Sequence, residues 1–516
     1  MSEKLPHKDA AQEAVFALLA NPATHGGDAV RRCDTHAASV FLAGDRAYKV
    51  KRAVRFPFLD YSTLERRKAA CLAELKVNRR FAPQLYRRVI AITRDAKGAL
   101  SLGGEGEPAE FAVEMTRFDE TQTLDHIAAR GRLDDELPKK LAVAVAVMHQ
   151  RAEPVESAPW LAALQDYIGQ NTADFLKNEA LFPAASVKQL DRQSRDAFDR
   201  LHPLLAERGR QGLVRRCHGD LHLGNIALVE GEPVAFDAIE FDPIIGSGDV
   251  LYDLAFLLMD LTERDQVTAA NIVLNGYFEA SRRIEDCDGL AALPLFMSVR
   301  AAIRTKVTAA RLKQPPAGDQ VALSHAAQRY FRLALDLLAP VKPAIIAAGG
   351  LSGTGKSVLA ASLAPFMAPL PGALVLRSDV ERKALFGVDA EQRLPPEAYR
   401  PGVSERVYGI LNDKARRIAQ AGYSVIVDAV FAKASERAAI EAVARSAHAS
   451  FHGLFLTADL ATRLKRVGGR GPDASDATTT VAREQEAYAL GDMNWPLVDA
   501  SGSPADTLAN ARSRLE

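Results

Sequence analysis

The pattern of hydrophobic and polar positions divides the 516-residue chain into two parts that meet near residue 340. In the first part, short alternating runs predict strands over 36–42, 47–51, 85–93 and 110–117. A helical period predicts helices over 10–19 and 64–80, and then mostly helical structure over 124–207 and 251–338. A turn-rich stretch over 217–250 interrupts the helices.

The second part alternates strands with helices. Pro340 and Pro343 mark its start, and apolar runs of strand length then recur at 344–348, 373–378, 424–430, 451–456 and 496–498. Alternation of this kind is typical of a parallel sheet with crossover helices. The second part is therefore predicted to be an α/β domain.

Composition excludes several classes of protein. The chain is 48% hydrophobic and 25% charged, as in globular proteins. Its four cysteines lie apart, without a CxxC pair or a Cys/His cluster, so neither a disulfide framework nor a structural zinc site is predicted. The N-terminus is polar, and no apolar run approaches the about 18 residues of a membrane span. We expect a cytoplasmic protein.

Charge is balanced in total but unevenly distributed. Basic and acidic residues number 65 each, which gives no global signal for nucleic acid. Residues 45–88 hold 13 Lys/Arg against 4 Asp/Glu, whereas residues 217–265 hold 11 Asp/Glu against 1 Arg. Two solvated surfaces would explain this distribution, and so would a phosphate-binding cleft with metal-binding carboxylates.

A phosphate-loop motif opens the second part. The sequence Gly-Leu-Ser-Gly-Thr-Gly-Lys-Ser over 350–357 fits GxxxxGK[ST] without deviation and lies between an apolar strand and a helical run. Such glycines let backbone N–H groups point at phosphate oxygens, and the helix N-terminus adds positive potential. Lys356 is expected to reach the terminal phosphates and Ser357 to ligate Mg²⁺. The predicted nucleotide-binding set is Gly350, Ser352, Gly353, Thr354, Gly355, Lys356 and Ser357.

Two aspartates follow strands of this part, where open α/β sheets bind ligands. Asp379 is a candidate to accept or orient the proton of an acceptor hydroxyl, and Asp428 to hold the magnesium shell through water; helix capping is the alternative for each. Downstream, Arg463, Arg466 and Arg470 suit a lid that closes on the transferred phosphate, with Arg470 the catalytic candidate. A solvated basic helix end is the alternative.

Residues 343–516 resemble the small P-loop kinases, which include gluconate kinase-like, zeta-toxin-like and polynucleotide kinase-like enzymes. The resemblance rests on the phosphate loop, the Arg-Ser-Asp-Val segment from 377, the Val-Asp-Ala strand end at 427–429 and the arginine-rich segment. It implies phosphoryl transfer from ATP or GTP and leaves the acceptor open.

A second motif lies in the turn-rich stretch. The sequence His-Gly-Asp-Leu-His-Leu-Gly-Asn over 218–225 places Asp220 five residues before Asn225, which is the spacing of a kinase catalytic loop. A short apolar run is then followed by Asp237, at the position where a kinase has its second metal-binding aspartate. Glu240 and Asp242 are alternatives to Asp237, which we prefer because it directly ends the strand.

This part resembles the aminoglycoside phosphotransferase and choline kinase-like superfamily. The resemblance rests on the catalytic-loop sequence, on Phe-Asp-Ala-Ile-Glu-Phe over 236–241 and on Asp-Leu-Ala from Asp253. It implies a two-lobed fold in which Asp220 is the catalytic base, Asn225 and Asp237 bind magnesium, and Asp253 braces the loop.

A kinase fold also needs a strand lysine held by a helix glutamate. Lys49 and Lys51 point to the same face of a predicted strand, and the resemblance favours Lys49. Glu74 is the preferred partner and Glu65 the second choice.

Together these motifs predict an α+β two-lobed protein kinase-like domain followed by an α/β P-loop NTPase domain with a parallel sheet. The expected boundaries are 1–30 for an N-terminal helical extension, 31–122 for the N-lobe, 123–340 for the C-lobe and 341–516 for the P-loop kinase domain.

The predicted function is magnesium-dependent transfer of the γ-phosphoryl group of ATP, or of GTP, to a hydroxyl of a small molecule at two nucleotide sites. Two alternatives stay open. One half could catalyse while the other senses nucleotide, or the C-terminal half could phosphorylate 5′-hydroxyl ends of polynucleotides, although it lacks a basic, aromatic-rich tract. The sequence leaves the acceptor and the oligomeric state open.

Overall fold

The computed structural model describes residues 10–56, 59–131, 133–312, 320–389, 391–469 and 473–515. The chain forms two compact units. The first comprises Met1–Leu133, Val147–Ala163 and Gly209–Leu257, and the second comprises Asp134–Ala146, Leu164–Arg208 and Leu258–Glu516.

The elements described before residue 130 are strands with three α-helices among them. In chain order they are α1 (Ala10–Ala20), β1 (Val30–Asp34), β2 (Ala38–Ala43), β3 (Arg46–Lys51), β4 (Arg55–Phe56), β5 (Leu59–Asp60), α2 (Leu64–Asn78), β6 (Tyr86–Arg94), β7 (Leu100–Leu102), β8 (Glu107–Thr116) and α3 (Leu124–Ala129).

Next come long helices interrupted by short strands. They are α4 (Glu136–Arg151), α5 (Ser157–Leu176), α6 (Ala184–Arg210), β9 (Val214–Arg215), β10 (Ile226–Val229), β11 (Glu232–Ala235), β12 (Gly248–Asp249), α7 (Val250–Glu263), α8 (Val267–Ser281), α9 (Glu285–Gly289), α10 (Leu293–Arg311) and α11 (Gln320–Asp336).

The last third alternates strands and helices. Its elements are β13 (Ala344–Gly350), α12 (Lys356–Leu363), β14 (Leu374–Arg377), α13 (Ser378–Leu385), α14 (Pro401–Gln420), β15 (Val425–Asp428), α15 (Ala434–Ser446), β16 (Ser450–Thr457), α16 (Leu460–Gly468), α17 (Thr479–Glu484), β17 (Leu497–Asp499) and α18 (Pro504–Arg512).

The first unit is built on an antiparallel six-stranded sheet in the order β1-β2-β3-β8-β6-β7. Its apolar positions alternate, and one face packs on α2 through residues such as Cys71 and Val113. Helix α1 supplies Val15, Phe16 and Leu19 to a second apolar cluster of the same sheet. The N-terminal helix is therefore part of this core. The sequence pattern missed β1, which is mostly exposed and carries two arginines.

The second unit contains a parallel sheet in the order β14-β15-β13-β16-β17. Its central strand β13 is buried along its whole length, as expected for a strand covered on both faces. The five predicted strands are confirmed to within a few residues at their ends. The structure thus has the kinase-like α+β region and the parallel α/β region that the sequence predicts. Across the described ranges, no helix combines the length and apolar character needed to span a membrane.

Two candidate active sites

In the first unit, two lysines of one strand share one buried glutamate. Lys49 and Lys51 lie on the same face of β3 because side chains alternate along a strand. The Nζ of Lys49 lies 2.8 Å from Oε1 of Glu74, and the Nζ of Lys51 lies 2.5 Å from Oε2. Glu74 is fully buried in α2, whereas Glu65, the second choice, is exposed in the first turn of that helix.

Mutual attraction keeps these groups charged despite burial. Burial acts against the charge of Lys49, but the carboxylates of Asp237 and Glu74 outweigh it and raise the pKa of Lys49. Burial would likewise raise the pKa of Glu74, yet Lys49 and Lys51 together hold that pKa below its ordinary value. Lys49, Lys51 and the carboxylates around them therefore form a network of opposite charges.

A β-hairpin brings the catalytic-loop motif to the second metal-ligand candidate. Ile226 in β10 pairs with Ala235 in β11, and the N–H of Phe236 donates to the carbonyl of Asn225 at 2.9 Å. The chain then turns at Asp237, whose φ of 61° is a left-handed conformation, and its carboxylate contacts the Nζ of Lys49. Nδ2 of Asn225 donates to Oδ2 of Asp220 at 2.9 Å. The four predicted side chains thus form two contacts, Lys49 with Asp237 and Asn225 with Asp220, and the backbone of the hairpin joins the two pairs.

The two alternatives to Asp237 have other partners. Glu240 lies 2.5 Å from the Nζ of Lys51 and accepts a hydrogen bond from the hydroxyl of Tyr61 at 3.1 Å. Asp242 accepts from the backbone N–H groups of Ile244 and Ile245, as a turn-forming aspartate does. Of the three carboxylates, Asp237 is the one that meets Lys49.

A buried aspartate holds the catalytic loop from behind. Oδ1 of Asp253, in α7, accepts from the N–H of Gly219 at 2.8 Å, and Oδ2 accepts from the N–H of His218 at 3.2 Å. Oδ2 also lies 3.1 Å from Nε2 of His149 in α4, a residue that the sequence did not single out. Ligand atoms of His149, Cys217 and Asp253 lie within 4.8 Å of one another. Because both Asp253 oxygens accept hydrogen bonds, this cluster is a brace for the loop.

The histidine of the loop is neutral in this setting. His218 is fully buried, and its Nε2 lies 2.9 Å from the carbonyl of Phe236, next to Asp237. Burial lowers the pKa of His218. The imidazole therefore joins the catalytic loop to the turn at Asp237.

In the second unit, the phosphate loop runs from β13 into α12 with left-handed glycines. Gly350, Gly353 and Gly355 have φ values of 142°, 86° and 93°. A Cβ on Gly350 would lie 2.7 Å from the carbonyl oxygen of Leu456, and a Cβ on Gly353 would lie 2.6 Å from that of Arg463. These two positions require glycine for space as well as for conformation.

Polar side chains of the loop are held close to it. The hydroxyl of Thr354 and the Nζ of Lys356 both donate to the carbonyl of Leu351, at 2.8 and 3.3 Å. The hydroxyl of Ser357 donates to Oδ2 of Asp428, the last residue of β15, at 2.6 Å. The two predicted magnesium-binding residues of this half are therefore in contact.

Both polar groups of the Ser352 backbone form hydrogen bonds with side chains. Its N–H donates to Oε1 of Gln485 at 2.6 Å, and its carbonyl accepts from Nε of Arg463 at 2.9 Å. Arg463 is 1% exposed and also donates to the carbonyl of Ala482. Its guanidinium is therefore a buried support of the loop, although its position in the sequence suited a lid. No sequence signal indicated Gln485.

The acceptor-side candidates lie at the end of β14. Asp379 occupies the first turn of α13 and does not end the strand. Burial, and then repulsion by Asp428, raise the pKa of Asp379, whereas a hydrogen bond from Ser475 lowers it. Arg377 donates to Asp473 at 2.8 Å, and its Nε lies 3.6 Å from Oδ2 of Asp428. Arg470 lies outside the described residues.

Comparisons with known proteins agree with both halves of this description. Residues 38–287 match the family model described as "Phosphotransferase enzyme family", and residues 345–489 match the model described as "AAA domain". Uncharacterised proteins of Mycobacterium tuberculosis and Mycobacterium bovis are each 28% identical to the chain over 473 residues, which is 90% of this chain and 90% of theirs.

Two solved structures are similar to parts of the chain. A choline/ethanolamine kinase family protein from Mesorhizobium loti is 16% identical with a TM-score of 0.38, over 64% of this chain and 99% of that one. A gluconokinase from Sinorhizobium meliloti is 20% identical with a TM-score of 0.24, over 34% of this chain and 96% of that one. Residues 38–287 are thus similar to the phosphotransferase enzyme family, and residues 345–489 are similar to AAA-type P-loop domains.

Proposed function

We propose that the protein is a phosphotransferase with two nucleotide sites, each transferring the γ-phosphoryl group of ATP or GTP to a hydroxyl of a small molecule. One observation carries the proposal: each unit holds its own set of candidate residues for this chemistry. The first has Lys49, Asp220, Asn225 and Asp237, and the second has a phosphate loop with Ser357 and Asp428.

The side chains at both sites fit magnesium. The candidate ligands offer carboxylate, amide and hydroxyl oxygens, which Mg²⁺ prefers. Nδ2 of Asn225 is engaged by Asp220, which leaves Oδ1 of Asn225 as the amide atom for a metal. Asn225 and Asp237 would hold the ion in the first unit, and Ser357 and Asp428 in the second. A bound magnesium would neutralise charge on the phosphates.

At the first site, Asp220 would act on the acceptor. Its carboxylate accepts the hydroxyl proton while the acceptor oxygen bonds to the γ-phosphorus and the bond to the bridging oxygen of the nucleoside diphosphate breaks. Lys49, fixed by Glu74, supplies positive charge to the phosphates. The brace from Asp253 keeps the loop in place, so that the rate gain comes from positioning.

At the second site, the corresponding role falls to Asp379. The raised pKa of this carboxyl favours proton uptake from a hydroxyl, and Arg377 beside it offers charge to the transferred group. Lys356 would reach the terminal phosphates from the phosphate loop, as its place in the motif indicates.

The deciding experiment is a metabolite-library screen with γ-labelled ATP and GTP on the wild type, Asp220→Ala and Lys356→Ala. We expect two sets of labelled products, one lost with each substitution. Slow hydrolysis without any labelled acceptor would reject the proposal. If Lys356→Ala leaves transfer intact but changes its regulation, the second half senses nucleotide. Labelling of 5′-hydroxyl oligonucleotides at low salt would identify a polynucleotide kinase.

A further inference from the structure

Among the described residues, the outer edge of strand β14 has no neighbouring strand. β14 is the terminal strand of the parallel sheet, and it pairs with β15 on its inner side. On that side the N–H of Leu374 donates to the carbonyl of Ser424. Backbone groups of alternate residues face the other way, so the carbonyl of Ala373 and the N–H of Val375 lie on the open edge. Such groups need partners or water.

Two asparagines of helix α8 supply those partners. Oδ1 of Asn275 accepts from the N–H of Val375 at 2.7 Å. The carbonyl of Ala373 accepts from Nδ2 of Asn271 at 3.0 Å and from Nδ2 of Asn275 at 3.2 Å. Asn271 and Asn275 are four residues apart and therefore lie on one face of the helix. Their amides take the place of a neighbouring strand.

The approach of the helix to this edge is close. Asn271 is 3% exposed, and a Cβ on Gly372 would lie 2.6 Å from its Nδ2. Gly372 also has a φ of 121°, so a side chain is excluded there for two reasons. Helix α8 lies in the range that matches the phosphotransferase family, and β14 lies in the range that matches the P-loop domain. The hydrogen bonds therefore join two ranges that match different family models and lie within one compact unit.

The position of β14 determines where the acceptor-side residues lie. Val375 precedes Arg377 by two residues, and Arg377 is in register with Asp428. Asp379 follows in the first turn of α13. A shift of β14 along its edge would move Arg377 and Asp379 relative to Asp428. The phosphate loop follows β13, two strands away in the sheet, and would move less.

We propose that Asn275, with Asn271, is a positioning residue of the P-loop site, and that helix α8 of the phosphotransferase-family part is a structural component of that site. The inference rests on the proposed function of the P-loop half. It assigns the asparagines to turnover and not to nucleotide binding, because they fix the strand that carries the acceptor-side residues.

The test uses the full chain carrying Asp220→Ala, so that hydrolysis of Mg-ATP reports the P-loop half. Asn275→Leu removes both hydrogen-bonding groups at similar size, and Asn275→Asp keeps the acceptor for Val375 but loses the donor. We expect hydrolysis to fall about tenfold in Asn275→Leu and less in Asn275→Asp, with the Kd for Mg-ADP unchanged within about twofold. Hydrogen–deuterium exchange of peptides over 373–380 should rise in the same order.

Asp288→Asn is the matched control. Asp288 of α9 forms a half-exposed ion pair with Arg417 of α14 at 2.9 Å, and within the described ranges neither residue has a hydrogen bond or ion pair with β14, so exchange and hydrolysis should stay as in the parent chain. Unchanged exchange over 373–380 in both Asn275 variants would overturn the inference. So would a Kd that rises as much as turnover falls. If Lys356→Ala leaves hydrolysis unaltered, the proposed function fails, and the exchange data still decide whether α8 fixes β14.

Discussion

At the scale of single residues, Lys49 and Lys51 share Glu74 but differ in the second carboxylate that each of them contacts. Lys49 contacts Asp237, whereas Lys51 bonds Glu240, which also accepts from Tyr61. In a Lys356→Ala background, Lys49→Met should lower hydrolysis at the first site about 100-fold or more, because a charge facing the phosphates is lost.

Lys51→Met should act on stability instead. It leaves Glu240 buried without its cation, which costs about 3–5 kcal/mol of unfolding free energy when a buried pair is broken. Urea unfolding and Mg-ATP hydrolysis of both variants separate the two effects. Loss of hydrolysis in Lys51→Met with unchanged stability would reverse the assignment.

The hydroxyl of Ser475 should tune the pH dependence of the P-loop half. Its hydrogen bond stabilises the ionised form of Asp379, whose pKa is raised by burial and by Asp428. A base must be deprotonated to act, so the rate falls as the pH drops through this pKa. Ser475→Ala removes the stabilising bond and should move the acid limb of the hydrolysis profile to higher pH, measured in the Asp220→Ala chain. A shift to lower pH would contradict Asp379 as the base.

Patterns of residues close together in the sequence predicted part of the first site, whereas contacts between residues far apart in the sequence could not be predicted. Strand alternation placed Lys49 and Lys51 on one face, and the spacing from Asp220 to Asn225, with an apolar run before Asp237, indicated the other candidates. The partners His149 and Gln485 lie 104 and 133 residues from the groups they bond. Only the folded packing of helices brings them there, and neither lies in a motif with a fixed spacing.

At the scale of elements, helix α4 supports the catalytic loop through helix α7. His149 is fully buried and meets Asp253, which holds the backbone of His218 and Gly219. His149→Leu leaves one carboxylate oxygen short of a donor, at a cost of about 1–3 kcal/mol. Hydrolysis at the first site should fall more than the affinity for Mg-ADP, because the loop carries both Asp220, the proposed base, and Asn225, one of the proposed magnesium ligands.

His149→Gln keeps an N–H donor and should recover part of the lost hydrolysis, and exposed His202→Gln is the control for removing an imidazole. These rates are measured in the Lys356→Ala chain together with urea unfolding. Equal loss in His149→Gln and His149→Leu at equal stability would show that the hydrogen bond to Asp253 is not what holds the loop.

At the scale of the whole molecule, the uneven charge of the sequence is partly paired within the fold. Cations of the basic segment bond carboxylates beyond it: Arg67 meets Glu110 at 2.8 Å, Arg88 meets Glu114 at 2.6 Å, and Lys51 meets Glu240 at 2.5 Å. The segment is therefore less of a phosphate-facing surface than its count of 13 Lys/Arg against 4 Asp/Glu suggests. Sequence counts cannot reveal such pairing, because the partners are far apart along the chain.

The division of the chain also differs from the one that Pro340 and Pro343 suggest. Helices α8 to α11 belong to the same compact unit as the parallel sheet, and α8 completes the edge of β14. A fragment of residues 341–516 would leave the carbonyl of Ala373 and the N–H of Val375 on an open strand edge, which favours pairing between copies. A fragment of residues 134–516 retains the whole of the second unit together with these hydrogen bonds.

We therefore expect the 134–516 fragment to melt cooperatively, and the 341–516 fragment to melt at a lower temperature and to self-associate. Each lost hydrogen bond contributes about 0.5–1.5 kcal/mol, and three are lost at this edge. Thermal unfolding and sedimentation of the two fragments measure the difference. If the 341–516 fragment is monomeric and melts at the same temperature as the longer fragment, the parallel sheet does not depend on α8. The open edge of β14 would then neither lower the stability of the sheet nor promote self-association.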